Sequence, residues 1–213
     1  MPDHVSLNPE TLSQDDAYNV LVAAVSPRPI ALVSSVSADG VHNLAPFSFF
    51  MAGGVSPLSL AFSPTDGARG PKNSLTNILA TREFVVNTVH RDMATGMNEA
   101  SFGYGPDVSE WRAAGFTMLA SEAVKPYRVG ESLVQFECKL FQVVKHGLGS
   151  GAANYVIGEI LRMHVHTSLL KKGSIDENSV RLLARMGGPC YLDTKGLEIF
   201  EMQRPTGPVP EEE

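Results

Sequence analysis

Between residues 67 and 78 the chain reads GARGPKNSLTNI, and three of its side chains can do chemistry together. Arg69 and Lys72 set two cations beside Ser74, at the start of a segment whose apolar Leu75, Ile78 and Leu79 share one helical face. The first N–H groups of a helix have no partners of their own. A phosphate placed there would meet charge, hydroxyl and N–H donors at once. The alternative is a capped surface helix with two solvated cations, in which Ser74 is the cap.

A second stretch, NLAPFSFF at residues 43–50, suits a flat ligand. Phe47, Phe49 and Phe50 bring rings, and Asn43 and Ser48 bring hydrogen-bonding groups. Pro46 interrupts the ladder, which frees backbone groups for the polar edge of a heterocycle such as a flavin. An ordinary barrel strand with its aromatics in the core is the other reading. In RPIALVSSV, residues 28–36, Ser34 and Ser35 sit mid-strand on opposite faces, so one of them needs a partner inside. Arg28 at the strand entrance is a third cation. Two surface-leaning serines in a short edge strand would also give this pattern.

Other constellations are weaker. His164 and His166 share a strand face, without a third metal ligand nearby in sequence. Gly103, Gly105 and the glycines of GLGSG lack the strand–GxGxxG–helix setting of a dinucleotide fingerprint. Cys138 lies on an apolar strand face and reads as a packed residue. No Ser/His/Asp set stands out, and no G-x-S-x-G elbow occurs.

These residues need a scaffold, and the composition allows one. The 213 residues are 43% hydrophobic and 19% charged, which fits one globular domain. A net charge of −6 argues against a non-specific nucleic-acid binder, while leaving room for a local basic pocket. Two distant cysteines predict neither a disulfide framework nor a structural zinc, and so a reducing cytoplasm. The N-terminus has no basic start followed by an apolar run, and no segment reaches membrane-span length.

Residues 1–12 read as an irregular arm, and a helix over 13–25 is capped by Ser13 with Asp15 and Asp16 behind it. Strands cover 30–37, 41–50, 55–63 and 83–89, and a helix covers 74–82 with Ser74 at its cap. Helical pieces at 92–100 and 108–114 precede two long strands, 132–146 and 154–167. On the first, Val134, Phe136, Cys138, Leu140 and Val144 share an apolar face; on the second, Tyr155, Ile157, Leu161, Met163 and Val165 do. A last helix is expected near 176–184, and residues 204–213 form an acidic tail after a domain spanning 13–203. Six or more strands with short connections and no βαβ alternation predict a mainly β fold, an antiparallel sheet closed into a barrel with attached helices.

RPIALVSSVSADGVHNLAPFSFF, then KNSLTNI, then EFVVN, resemble the flavin reductase-like FMN-binding split-barrel family. MNEAS, ECKL, YVIGEI and RMGGPCY come after them in the same order, so the likeness covers roughly residues 18–192. It implies a six-stranded antiparallel Greek-key split barrel that forms a homodimer, with one FMN per subunit near the dimer interface. Arg28, Pro29, Ile30, Ala31, Ser34, Ser35, Asn43, Ala45, Pro46, Phe47, Ser48 and Phe49 would then line the ring and ribityl chain. Around the phosphate would lie Ser63, Arg69, Lys72, Ser74 and Asn77, with Arg185, Gly188 and Tyr191 approaching the active site.

The implied activity moves a hydride from NADH or NADPH to the flavin, supplying reduced flavin to a partner oxygenase; a flavoredoxin-like, non-enzymatic electron carrier is the alternative. No proton-transfer residue is needed for that hydride step. Three departures stand out: Lys72-Asn73-Ser74 where the family usually reads Lys-Asp-Thr, MAGG after the paired phenylalanines where Asn is frequent, and Pro57-Leu58 in place of two prolines.

Overall fold

Seven strands build the main sheet of the protein, seen in a computed structural model that describes residues 3–105, 108–176 and 178–197. They are β1 (Ala31–Val36), β2 (His42–Phe47), β3 (Phe50–Val55), β4 (Leu58–Phe62), β5 (Glu83–Thr88), β6 (Val134–His146) and β7 (Ala153–Val165). Their order is β2-β1-β5-β6-β7-β4-β3, and every pairing is antiparallel. A mainly β architecture was expected and is present. The strand count is seven rather than six, and no ladder joins β2 to β3 among the described residues.

β2 and β3 stand at opposite ends of that order, yet only Ser48 and Phe49 separate them. Three peptide steps reach about 11 Å at most, so the sheet must roll until its end strands meet at this corner. Ring contacts across the interior agree. Phe47 on β2 lies 5.2 Å, centroid to centroid, from Phe62 on β4, and Phe62 lies 5.6 Å from Phe84 on β5. Val33, Leu60, Cys138 and Val156 complete the inside of the roll. Gly158 on β7 is required there, because a Cβ at that position would run into the Phe84 ring.

The helix α1 (Gln14–Ala24) starts as expected, with Ser13 Oγ accepting from Asp16 N at 3.1 Å. α2 (Asn73–Thr81) inserts Leu75 and Ile78 into the interior of the roll. Two short helices, α3 (Ala94–Glu99) and α4 (Trp111–Ala114), cover the outside of β1 and β2. There Leu32 and Leu44 pack on Met97 and Trp111. No helix among the described residues is long and apolar enough to cross a membrane.

Several local expectations are corrected. The strand expected over 41–50 ends at Phe47, where the chain turns the corner; a new strand, β3, then runs through MAGG to Val55. β3 owes its existence to pairing, Phe50 with Phe62 and Met51 with Ala61. The helix expected near 176–184 is absent. Asp176 instead accepts from Asn178 N and Ser179 Oγ in a local turn, a competitor of helix. Leu183–Arg185 then pairs as a strand with Arg28–Pro29 and Tyr191–Asp193.

The apolar faces of the long hairpin also differ from expectation. Phe141 and Leu161 are bulged out of register, and each one-residue slip moves the rest of its strand to the other face. Val144, expected inside, pairs with Tyr155 and both are exposed, as are Phe141 and Leu161. The tail expected at 204–213, and the domain boundary at 203, lie outside the described residues.

Glu137, between the two core residues Phe136 and Cys138, is completely buried. Its carboxylate accepts from Glu122 N at 2.9 Å, Ala123 N at 2.5 Å and His164 Nε2 at 2.6 Å, with Arg128 Nε 3.8 Å away. Burial alone would raise its pKa. The backbone donors and His164 outweigh that and hold it below the usual carboxylate range. His164 is thereby committed to Glu137, while His166 Nδ1 faces Ser168 Oγ at 2.7 Å. Among the described residues no group of three His, Cys, Asp or Glu side chains could hold a metal ion.

Candidate functional site

Gly67 and Gly70 exchange two backbone hydrogen bonds, of 2.9 and 3.0 Å, which closes a tight loop with Arg69 exposed near its tip. Gly70 has φ +98, a left-handed conformation that favours glycine. The chain then enters α2 with Lys72 as the N-cap residue and no side-chain cap. Leu75 and Thr76 donate to Lys72 O, so the preceding N–H groups, those of Asn73 and Ser74, have no helical partner. Ser74 is therefore not the cap that the sequence suggested. It sits inside the first turn, buried, with its hydroxyl turned to Asn43.

A cleft of about 440 Å³ opens between this helix start and the loop carrying Phe102, Gly103 and Tyr104. That volume is within the range of small-molecule sites. Of the sequence candidates, Asn43, Ala45, Pro46, Arg69, Lys72 and Ser74 line it. Arg69 passes beside Gly103, where a Cβ would stand 3.7 Å from its Nη2. The rings of Phe102 and Tyr104 pack edge to face, 4.9 Å apart, on the facing loop.

Glu110, the residue before α4, also lines the cleft and is only 4% exposed. Its Oε2 accepts from Leu44 N at 3.0 Å. The hydrogen-bond pattern assigns the Asn43 amide with Nδ2 donating to Glu110 Oε1 at 3.2 Å and Oδ1 accepting from Ser74 Oγ at 2.9 Å. Burial pushes the Glu110 pKa up, and the Leu44 N–H opposes it.

The remaining sequence candidates fall in two other places. Ile30, Ala31, Ser34, Ser35, Phe47 and Asn77 are interior. Ser34 Oγ donates to Tyr127 O at 2.5 Å and Ser35 Oγ accepts from Asn77 Nδ2 at 3.3 Å, so both serines found partners inside. Ile30 and Ala31 pack in the outer and inner cores, one on each side of the sheet.

A second group gathers where the sheet edges meet. Arg28 is buried there, donating to Val22 O, Val25 O and Met186 O, with its guanidinium 5.8 Å from the Phe49 ring centre. Pro29 pairs with Ala184 beside it. Ser48 is half-buried in the link, and Ser63 N donates to Phe49 O at 2.8 Å. Arg185 donates to Gly188 O at 2.7 Å and lies 4.5 Å over the Tyr191 ring.

Sequence reasoning missed Glu110 and the Phe102–Tyr104 loop. The Gly-Tyr-Gly spacing of the loop was a readable signal for an aromatic wall. Glu110 had no local signal, because its hydrogen-bond donor, Leu44 N, is on a strand distant in sequence.

The flavin reductase like domain matches residues 24–182 of the chain. An uncharacterised protein of Halalkalibacterium halodurans is 36% identical over 95% of this chain and 97% of its own. Nitrilotriacetate monooxygenase component B of Bacillus cereus superposes with a TM-score of 0.88 at 30% identity, covering 93% of this chain and 98% of that one. The 2-nitrobenzoate 2-nitroreductase of Pseudomonas fluorescens superposes with a TM-score of 0.84 at 27% identity, covering 97% and 100%. On the domain match and the 36% identity across nearly its whole length, the chain belongs to the flavin reductase-like family.

Proposed function

We propose that the protein is an NADH- or NADPH-dependent flavin reductase that holds FMN with its phosphate in the cleft at the start of α2. The observation that carries this reading is the donor set there: Arg69, Lys72 and two helix N–H groups without helical partners, around one 440 Å³ cleft. Those groups fit a phosphate monoester. Ser63 Oγ, buried and without a partner among the described residues, offers a further hydroxyl on the path from the corner. Asn43, Ala45 and Pro46 would support the polar edge of the ring, and Arg28, Pro29, Phe49 and the Arg185–Tyr191 pair would border it at the corner.

When bound, FMN supplies the two-electron redox chemistry that the side chains lack. The chain's own work is to anchor, orient and shield. The α2 start fixes the phosphate, which sets the ring's distance along the cleft, and the corner aromatics exclude water. No side chain is assigned a proton transfer.

We read the rolled sheet as the split Greek-key barrel of the family, with β3 added at its end, in a cytoplasmic protein. The relation to a monooxygenase component B supports a role in delivering reduced flavin to an oxygenase. FMN should bind at least tenfold better than riboflavin, which lacks the phosphate, since a charge-assisted bond adds about 1.5–3 kcal/mol. Fluorescence titration checks this, and equal affinities would remove the phosphate assignment. Steady-state oxidation of NADH and NADPH with FMN separates the reductase from a flavoredoxin-like carrier, which would show none.

Phe141, Val144, Tyr155 and Leu161 leave an apolar surface on the long hairpin. Covering it with a second copy makes a homodimer. Light scattering should report about twice the 22.9 kDa chain mass at micromolar concentration; a mass of one chain at every concentration would sink the dimer.

A further inference from the structure

Glu110, Asn43 and Ser74 stand in a line from the cleft wall to the first turn of α2, and their protons admit two arrangements. With Glu110 ionised, Asn43 Nδ2 donates to Glu110 Oε1 at 3.2 Å and Ser74 Oγ donates to Asn43 Oδ1 at 2.9 Å. The Ser74 proton is then used up, and the hydroxyl shows only lone pairs to the cleft. With Glu110 protonated, the amide turns over. Glu110 O–H donates to Asn43 Oδ1, Nδ2 donates to Ser74 Oγ over the same 2.9 Å, and the Ser74 O–H is released towards the cleft. Leu44 N–H donates to Glu110 Oε2 at 3.0 Å in both; in the ionised arrangement it is shared with Asn43 Oδ1, also at 3.0 Å, and turning the amide gives that second contact up.

We propose that these three residues form a proton-linked switch that turns Ser74 from an acceptor into a donor, so that a phosphate monoester entering the cleft draws one proton onto Glu110. The proton comes from solvent, and no covalent bond to the ligand forms. The proposal rests on the phosphate reading above. A phosphate is an acceptor, and only the protonated arrangement offers it the Ser74 hydroxyl.

The charges around Glu110 act in the same direction. Lys72 from the start of α2 and Arg69 from the 67–70 loop line the cleft with it, as does Tyr104 from the facing loop. β2 offers it only amides, since His42 lies against Tyr127 instead, 4.5 Å ring to ring. A phosphate bound between the two cations adds like charge beside a buried carboxyl, which favours the proton. Burial already holds Glu110 above its ordinary range.

Linkage fixes the sign. If phosphate raises the Glu110 pKa, FMN affinity is flat below the free value and falls by up to about tenfold per pH unit as pH rises between the free and bound values. FMN's own second ionisation, near about pH 6, works the other way, since a more charged phosphate binds cations better. Riboflavin should show neither trend.

The test is titration of FMN and of riboflavin against wild type and Glu110→Gln across pH, with calorimetry in two buffers of different ionisation heat to count protons. A glutamine places an NH₂ where the protonated carboxyl had its O–H, so Glu110→Gln should hold the donor arrangement permanently. It should bind FMN as tightly as wild type does in acid and lose the alkaline decline, with proton uptake falling from about one to none. Ser74→Ala, the second variant, should bind FMN weakly and also lose the decline. FMN binding no better than riboflavin at any pH would remove the phosphate reading and the switch with it. Better FMN binding with the same pH slope in wild type and both variants would overturn the switch alone.

Discussion

Lys72→Ala should weaken FMN binding by about ten- to a hundredfold, the loss of one charge-assisted bond of roughly 1.5–3 kcal/mol. Lys72 is exposed at the mouth of the cleft, and only its backbone carbonyl takes part in the helix start, accepting from Leu75 and Thr76. Truncating the side chain therefore leaves the cap geometry alone, and the melting temperature of the ligand-free protein should not move. Riboflavin affinity should barely change, because the deleted ammonium has no phosphate to meet. Fluorescence titration of both flavins reads the result. FMN affinity equal to that of the parent would make Lys72 a solvated surface cation and leave Arg69 and the helix N–H groups to hold the phosphate.

The larger effect on stability belongs to Glu137. Glu137→Ala should destabilise the fold by about 3–5 kcal/mol, because it strands His164 and the N–H groups of Glu122 and Ala123 without their acceptor. For a chain of this size that is a drop of roughly 6–20 °C in melting temperature. The pH dependence comes from the lowered pKa of the native carboxylate. Its contribution is fully present above the unfolded-state value and is lost as pH falls through the lower native one. Wild type and variant should thus draw together in acid. Thermal melts at neutral and acid pH check both statements, and a neutral-pH difference of a degree or two would refute the role given to the network.

Local signals were the legible ones. Ser13, Asp15 and Asp16 lie within one turn of the helix they start, and α1 begins where they say. Arg69, Lys72 and Ser74 are likewise close in the chain, and they meet in one cleft. Features that depended on distant partners were not legible. MAGG carries no strand signal of its own and becomes β3 through β4. Leu183 is drawn from an expected helix into a strand by Val89 O and Arg28–Pro29. Alternation along β6 was read correctly up to the bulge at Phe141, but on β7 the inner face before Leu161 is Val156, Gly158 and Ile160 rather than Tyr155 and Ile157, and no residue type announces a bulge. One of Ser34 and Ser35 was read as needing an interior partner; both have one, and neither Tyr127 O nor Asn77 was visible from the local sequence.

The two-residue link between β2 and β3 is also a tether. It keeps the two free edges of one sheet at a high effective concentration for each other, whether or not they share hydrogen bonds. A longer link would leave every pair in the ladders unchanged and cost only about 0.6 kcal/mol for each doubling of its length. It would, however, let the edges drift apart, and with them Phe49, Ser63 and the Arg28 guanidinium that gather there. The roll is thus held at one point by how many residues the chain spends, a quantity carried by spacing rather than by any side chain.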